Sequence, residues 1–486
     1  MNTLTSVDSG QARRPAYASG TVPGPATASR PAAYTLPAVA AGQRGLARAW
    51  LWLALAALVG SGLFSVLLVL ARTPGINAWL PAGDFFRVAL VVHVDLSVLV
   101  WFVAIAGLLW SLNHRPLQGR AGARWARLPL LACGLGALGM ALSAFVDPGE
   151  AVMANYIPML DSSAFRAAVG VFGIGALLLV LQGLWRAQPV GAALDGAGAL
   201  RFGLHASVVA AGVALLAFAW SLAVVPTSLP AKAYYEILFW GGGHALQFTW
   251  TLLMLVSWLA LAQACGGRVP LSPRVVLLLF AVALVSVFVT PLAYLMHDVT
   301  TVEHRDLHTW AMRVGGGLAI APLALAVLLA LAPLRGLQPQ QRPLRAALLA
   351  SMLLFVAGGL IGLAIQGSNV KIPAHYHGCI VGVTLALMGV VYQLLPALGY
   401  AAPAGRMAVL QPWLYGGGQL LHIVGLVWSG GYGVQRKVAG AEQVLRSPGE
   451  IAGMGLMGLG GLLAIAGGLL FALVVLRAMR RPRAGV

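Results

Sequence analysis

Beyond residue 49 the chain is a succession of apolar runs separated by short polar stretches rich in Arg, Gly and Pro. The runs cover 50–71, 86–111, 127–146, 165–186, 203–225, 236–264, 274–296, 307–332, 345–365, 375–398, 408–429 and 451–478. A helix needs about 20 residues to cross the hydrocarbon core of a bilayer. The pattern therefore predicts an all-α integral membrane protein with twelve transmembrane helices. They form one membrane domain over 49–479, followed by a short basic cytoplasmic tail over 480–486. Residues 1–48 hold no comparable run and are rich in Ala, Pro, Ser and Thr. With no signal-peptide core beside the initiator, they are expected to be retained as a disordered cytoplasmic segment.

Composition agrees with this reading. Of 486 residues 59% are hydrophobic and only 9% charged, with mean hydropathy +0.86; soluble chains carry roughly 25% charged residues. The 60 glycines suit helices that pack closely in lipid.

The net charge of +18 raises the question of nucleic acid, but its placement answers it. Under the twelve-span count Arg115, Arg120, Arg124, Arg127, Arg186, Arg201, Arg268, Arg335, Arg342, Arg406 and the tail arginines share one side. Only Asp8 and Asp195 among the 13 acidic residues fall there. The excess of Arg marks that side as cytoplasmic, places both termini inside, and makes anionic lipid the expected partner. No nucleic-acid partner is expected. Cys133, Cys265 and Cys379 stand alone, without the spacing of a c-type haem or dinuclear copper site. Electrons are thus expected to arrive from another protein or from a quinol.

Candidate chemistry gathers in the outer part of the membrane. His93, His244, His297, His375 and His377 lie at similar depth on four predicted spans. One histidine in a span is usually a packing or hydrogen-bonding residue; five at one depth point to metal or haem. His375 and His377 are two apart, so on a helix they point about 200° from each other and suit different cofactors on its two sides. His114, His205 and His422 show no such convergence: the first two fall on the cytoplasmic side and His422 lies mid-span without an obvious partner. His304 and His308 suggest an interfacial role or a proton route.

These segments resemble the catalytic subunit I of the haem–copper oxidase superfamily. Val370-Lys-Ile-Pro-Ala-His-Tyr-His-Gly378 is similar to that family's tenth helix, and Leu238-Phe-Trp-Gly-Gly-Gly-His244 to its sixth. Phe86-Arg-Val-Ala-Leu-Val-Val-His93 resembles the second, and Gly431-Tyr-Gly-Val-Gln-Arg-Lys437 the basic pair after the eleventh. The resemblance implies two haems and one non-haem metal, iron or copper. His93 and His377 would bind a low-spin haem of b type, and His375 a high-spin haem. His244 and His297 would bind the metal, and Arg436 and Lys437 the haem propionates, unless that pair is only a solvated loop charge.

Two departures direct the functional expectation. Asp298 stands where the family has a second adjacent histidine, as in a nitric-oxide-reductase-like branch. It is either a third metal ligand, a group bonded to a ligand, or an outer-loop acid; as a ligand it favours harder metals than copper. The active-site tyrosine of the oxidases is also missing, since Phe248 and Pro291 occupy its two usual places, although Tyr294 lies one turn before His297. Acids near the outer side, Glu236 and Glu303, with Tyr294, offer a proton route from the periplasm, and none lies in the cytoplasmic half of a span.

The expectation is a catalytic subunit of a nitric-oxide reductase in a bacterial inner membrane. It would reduce two NO to N2O without pumping, at a centre formed by His244, His297, Asp298 and His375. Its electrons would come from a donor subunit, a c-type cytochrome or quinol. A terminal oxygen reductase and a non-catalytic haem electron carrier or sensor are the alternatives.

Overall fold

The computed structural model describes residues 33–76, 83–117, 119–439 and 442–481. Helices α1 (Arg44–Arg72), α2 (Gly83–Val94) and α3 (Trp101–Leu112) open the chain, a π turn over Asp95–Val100 joining the last two into one long rod. Then come α4 (Gly119–Val146), a hairpin of β1 (Glu150–Val152) and β2 (Met159–Asp161), α5 (Ser163–Arg186), α6 (Gly196–Val224) and α7 (Ala231–Ala264). The hairpin is antiparallel, with Ala151 opposite Leu160. Next are α8 (Pro273–Val287), α9 (Val289–Met296), α10 (Val302–Leu331), α11 (Gln341–Leu363), α12 (Lys371–Leu394), α13 (Arg406–Gly431) and α14 (Pro448–Met479).

Local chemistry sets several of the starts. Ser162, Asp195, Ser272, Thr301 and Ser447 each accept a backbone N–H of the first turn through the side chain, satisfying a donor the helix leaves open. Pro273 and Pro448 follow two of these caps, where a missing N–H costs nothing.

Every apolar run of the sequence corresponds to helix. Among the described residues eleven helices, counting α2–α3 and α8–α9 as one span each, are long and apolar enough to cross a membrane. The twelfth, α13, is 26 residues long but does not meet the same measure of apolarity; its polar and small residues, Gln411, Gly416, Gly418 and Ser429 among them, are buried against neighbours. The chain is a multi-pass membrane protein. Leu63, Leu135, Leu363 and Leu469 project large apolar side chains outward, while α3, α7 and α12 are buried on most of their surface.

Polar atoms inside the bundle are paired across helices, as a low-dielectric interior requires. Trp110 Nε1 donates to Ser207 Oγ, and Trp258 Nε1 to Ser351 Oγ, each at 2.8 Å. Glycines bring helix axes close: a Cβ on Gly418 or Gly425 of α13 would lie 2.4 Å from backbone of α14.

The disorder expected over 1–48 does not extend to residues 33–48. Tyr34 is fully buried and donates its hydroxyl to the Leu271 carbonyl at 2.7 Å, and α1 begins at Arg44. One aromatic ring with a satisfied hydroxyl fastens a stretch whose composition alone suggests none of this. The remainder of that expectation, residues 1–32, and the tail beyond 481 lie outside the described residues.

Hydrogen bonds join the Arg-rich connections to one another at one end of the bundle: Arg115 to Arg186, Gln43 to His114, and Arg48 to Leu398. The hairpin, the start of α7 and the loop after α13 meet at the other end, where the histidines lie.

Candidate functional site

The three histidines expected to bind haem lie on α2 and α12. His375 on α12 donates Nδ1–H to the Gly358 carbonyl of α11 at 2.8 Å. His93 on α2 points the same ring atom at the Ser61 carbonyl of α1, 3.0 Å away. A carbonyl on Nδ1 fixes both tautomer and ring orientation and leaves the Nε2 lone pair for iron, as in ligating imidazoles generally. Close packing enforces the His375 position, because a Cβ on Gly362 would lie 2.6 Å from its Nδ1. His377 has His422 of α13 beside it, ring centroids 5.0 Å apart, and His422 in turn donates Nδ1–H to the Met457 carbonyl at 3.0 Å. So His422, which showed no partner in the sequence, stands next to an expected haem ligand. These residues fit haem: the imidazoles are present, backbone carbonyls orient the His93 and His375 rings, and none of the three Nε2 atoms is taken by a protein group among the described residues.

The basic pair lies above this region. Lys437 Nζ donates to the Met153 carbonyl and Arg436 Nη1 to Asn155 Oδ1 at 3.3 Å. Burial, and then the neighbouring Arg436 guanidinium, push the Lys437 ammonium down to about 8. Arg72, at the end of α1, joins the same loop through Gln443 Oε1 and the Gln435 carbonyl. It was not singled out in the sequence, where a helix-terminal arginine reads as a topology signal.

Around His244 the structure gathers aromatic and imidazole side chains. His244 is 7% exposed and donates Nδ1–H to the Trp240 carbonyl one turn back, at 2.8 Å. The Tyr156 hydroxyl lies against the same ring, 2.9 Å from Nδ1 and 3.1 Å from Nε2. Tyr156 comes from the hairpin, at φ 63°, and its hydroxyl is held protonated by burial and by the nearby Glu236 charge. The glycine run before His244 makes this possible. A Cβ on Gly243 would lie 2.2 Å from the Tyr156 ring, one on Gly242 2.3 Å from Phe218, and one on Gly241 2.5 Å from the Tyr294 hydroxyl.

His304 and His308 of α10 come up against this group. The His308 ring centroid is 5.7 Å from that of His244 and 4.7 Å from that of His304. Tyr294 stacks edge-on against His304 at 4.7 Å and exchanges a 2.6 Å hydrogen bond with Ser221. His297 caps the end of α9 in extended conformation, partly exposed. Asp298 is exposed; its Oδ1 accepts from Thr300 N at 2.8 Å and from the Thr300 hydroxyl, bonds that hold its carboxyl below the usual carboxylate range. Glu303 is exposed in the first turn of α10, where its charge suits the helix N-terminus. Glu236 is tied in instead, accepting from Asn155 through both backbone N–H, at 2.9 Å, and side chain. As the side chains stand, no three His, Cys, Asp or Glu residues among those described are already posed around a metal ion.

The profile of the family described as cytochrome c and quinol oxidase polypeptide I matches residues 45–469. The chain belongs to this family. It is therefore a haem–copper oxidase subunit I homologue, and the family implies a haem-dependent oxidoreductase. An uncharacterised protein of Rickettsia prowazekii is 28% identical over 495 residues, covering 88% of this chain and 94% of that one. An uncharacterised protein of Aquifex aeolicus is also 28% identical, over 75% of this chain and 88% of its own length. Cytochrome c oxidase subunit 1 of Thermus thermophilus is 25% identical, over 75% and 71% respectively. Among solved structures a haem–copper terminal oxidase dimer shares the fold with a TM-score of 0.68 at 15% identity, over 92% of this chain and 85% of its own.

Proposed function

We propose that this subunit is the catalytic subunit of a nitric-oxide reductase, converting two NO, two electrons and two protons to N2O and water. His375 would hold a high-spin haem, and His93 with His377 a low-spin haem that feeds it. These groups supply gas binding and one-electron chemistry when bound. The side chains supply the protons and the positioning.

The observation that carries this reading is the line of groups from Glu236 to His244. Glu236 is bonded to Asn155, and the next residue, Tyr156, sets its hydroxyl within hydrogen-bonding distance of the His244 ring. A carboxylate at the end of the bundle opposite the Arg-rich loops thus lies one residue from the hydroxyl that touches the centre. In the expected topology that end faces the periplasm, so protons enter from outside and the reaction pumps none. Reducing NO breaks no O–O bond, so the departure of Phe248 and Pro291 from the oxidase tyrosine positions is no handicap. Electrons would come from a quinol or a c-type cytochrome, in a bacterial inner membrane.

Oxygen reduction is the second reading, and a specific contact favours it. Tyr294 and Tyr156 both reach the histidine group, and either phenol is a candidate source of the extra electron and proton that O–O cleavage demands. Gas uptake by the purified, reduced protein separates the readings. Rapid NO loss with little O2 uptake supports NO reductase, the reverse supports oxygen reductase, and neither gas consumed leaves an electron carrier or sensor.

A further inference from the structure

We propose that His422 of α13 is a positioning residue whose imidazole sets the ring plane of His377, the low-spin haem ligand of the reading above. The inference rests on that haem assignment and not on which gas is reduced.

The three expected haem ligands are not held alike. Backbone carbonyls fix two of the rings, that of Ser61 for His93 and that of Gly358 for His375. His377 has no such carbonyl partner among the described residues. The torsion that turns an imidazole about its Cβ–Cγ bond is broad and has no sharp staggered wells. A neighbouring group must therefore choose the plane in which this ring stands.

That neighbour is His422. Its ring centroid lies 5.0 Å from that of His377, with the two planes at 61°, an edge contact of the kind that ring pairs prefer. Tyr376 also approaches the ring, at 5.2 Å. It is 39% exposed, however, and makes no hydrogen bond among the described residues, so nothing anchors it as a stop.

His422 is anchored. It is 8% exposed and donates Nδ1–H to the Met457 carbonyl of α14 at 3.0 Å. Two glycines of α14 admit it: a Cβ on Gly460 would lie 2.3 Å from the His422 backbone nitrogen, and one on Gly461 3.2 Å from its Nδ1. The helices are thus in close contact at this level, as small residues allow in lipid. Orientation passes from the α14 backbone to an α13 ring and from there to the α12 ligand. For His377 a fixed side chain takes the place that a carbonyl holds for the other two, a neighbour of the kind that orients ligating imidazoles.

The test uses the full chain purified with its haems. It reads haem content and the electron paramagnetic resonance of the oxidised low-spin haem, whose g anisotropy depends on the angle between the two axial imidazole planes. His422→Leu is expected to keep both haems and to shift the largest g value, while His422→Phe, which keeps a ring against His377, stays close to wild type. A merely structural role would lower the thermal midpoint and leave the g values alone. An unshifted low-spin signal in His422→Leu overturns the proposal. So does conversion of that haem to high spin in both variants, which would make His422 an axial ligand itself. Should the His422 variants not assemble with haem, Gly461→Ala decides. Its added methyl would press on Val69 and on His422 Nδ1, and it should move the same signal; an unmoved signal overturns the proposal.

The reading and the inference fail separately. A wild-type bis-imidazole signal that His422→Leu does not move defeats only the inference. A signal that moves, in a chain that consumes no NO, defeats only the proposed activity. A wild type without a low-spin signal, or one whose signal survives in His377→Ala, defeats the haem assignment and this inference with it.

Discussion

Gly362 of α11 and His375 of α12 approach so closely that a methyl group on the glycine would sit 2.6 Å from the imidazole Nδ1. The hydrogen at that Cα is thus part of what aims the ring, together with the Gly358 carbonyl. Gly362→Ala is expected to tilt His375 and to release the haem it would hold, without disturbing the other. Haem extraction and reduced-minus-oxidised spectra should show about one haem per chain, the low-spin one. Gly359→Ala on the same helix, where a Cβ meets nothing within 4 Å, should retain both.

Gly243→Ala probes the tyrosine contact. The added methyl would lie 2.2 Å from the Tyr156 ring, and overpacking of this kind costs about 1–3 kcal/mol. We expect a lower thermal midpoint and a marked fall in gas turnover. Gly317→Ala, in open space on α10, should leave both unchanged. Equal effects of the two substitutions would mean that the glycine run serves general helix packing rather than Tyr156.

Glu236→Gln removes the carboxylate from the line that ends at His244 while keeping its shape and most of its bonding to Asn155. Both haems should bind normally. Turnover should fall by roughly 10²–10⁴-fold, the usual range for a lost proton-transfer group. Glu303→Gln, an exposed position in the first turn of α10, should cost less than twofold, which stopped-flow NO consumption would resolve.

Lys437 provides a pH signature. Its ammonium is pushed down to about 8, first by burial and then by Arg436. Below that pH it is charged, and a positive charge beside a haem favours the reduced form. As pH rises through about 8 the charge is lost and the midpoint potential of the neighbouring haem should fall. Lys437→Met should start at the lower potential and show little of that slope. A wild-type potential flat between pH 7 and 9 would indicate a loop cation remote from either haem.

Much of this architecture is readable from the chain. Helical spans follow from apolar runs and the candidate haem ligands from His-Tyr-His, because both depend on spacing within one helix. What escapes the sequence is contact between distant segments. Tyr156 reaches His244 only because a hairpin folds over α7 at a positive φ, and no periodicity encodes that. His422 meets His377 across two helices, 45 positions apart. His304 and His308 carried a signal in their four-residue spacing, but it gains meaning only when α10 is seen leaning against α7. Conversely Asp298, adjacent in sequence to His297, invited ligation. The chain turns out of helix at His297, and the carboxylate bonds to its own turn.

The hairpin over residues 150–161 touches every part of this arrangement. Met153 receives Lys437, Asn155 receives Arg436 and bonds to Glu236, and Tyr156 bonds to His244. Three residues within a four-residue stretch thus act as a common tether for groups that would otherwise answer to separate helices. Any insertion, deletion or pull on that tether must alter the proton entry and the basic loop together, so neither can be tuned alone.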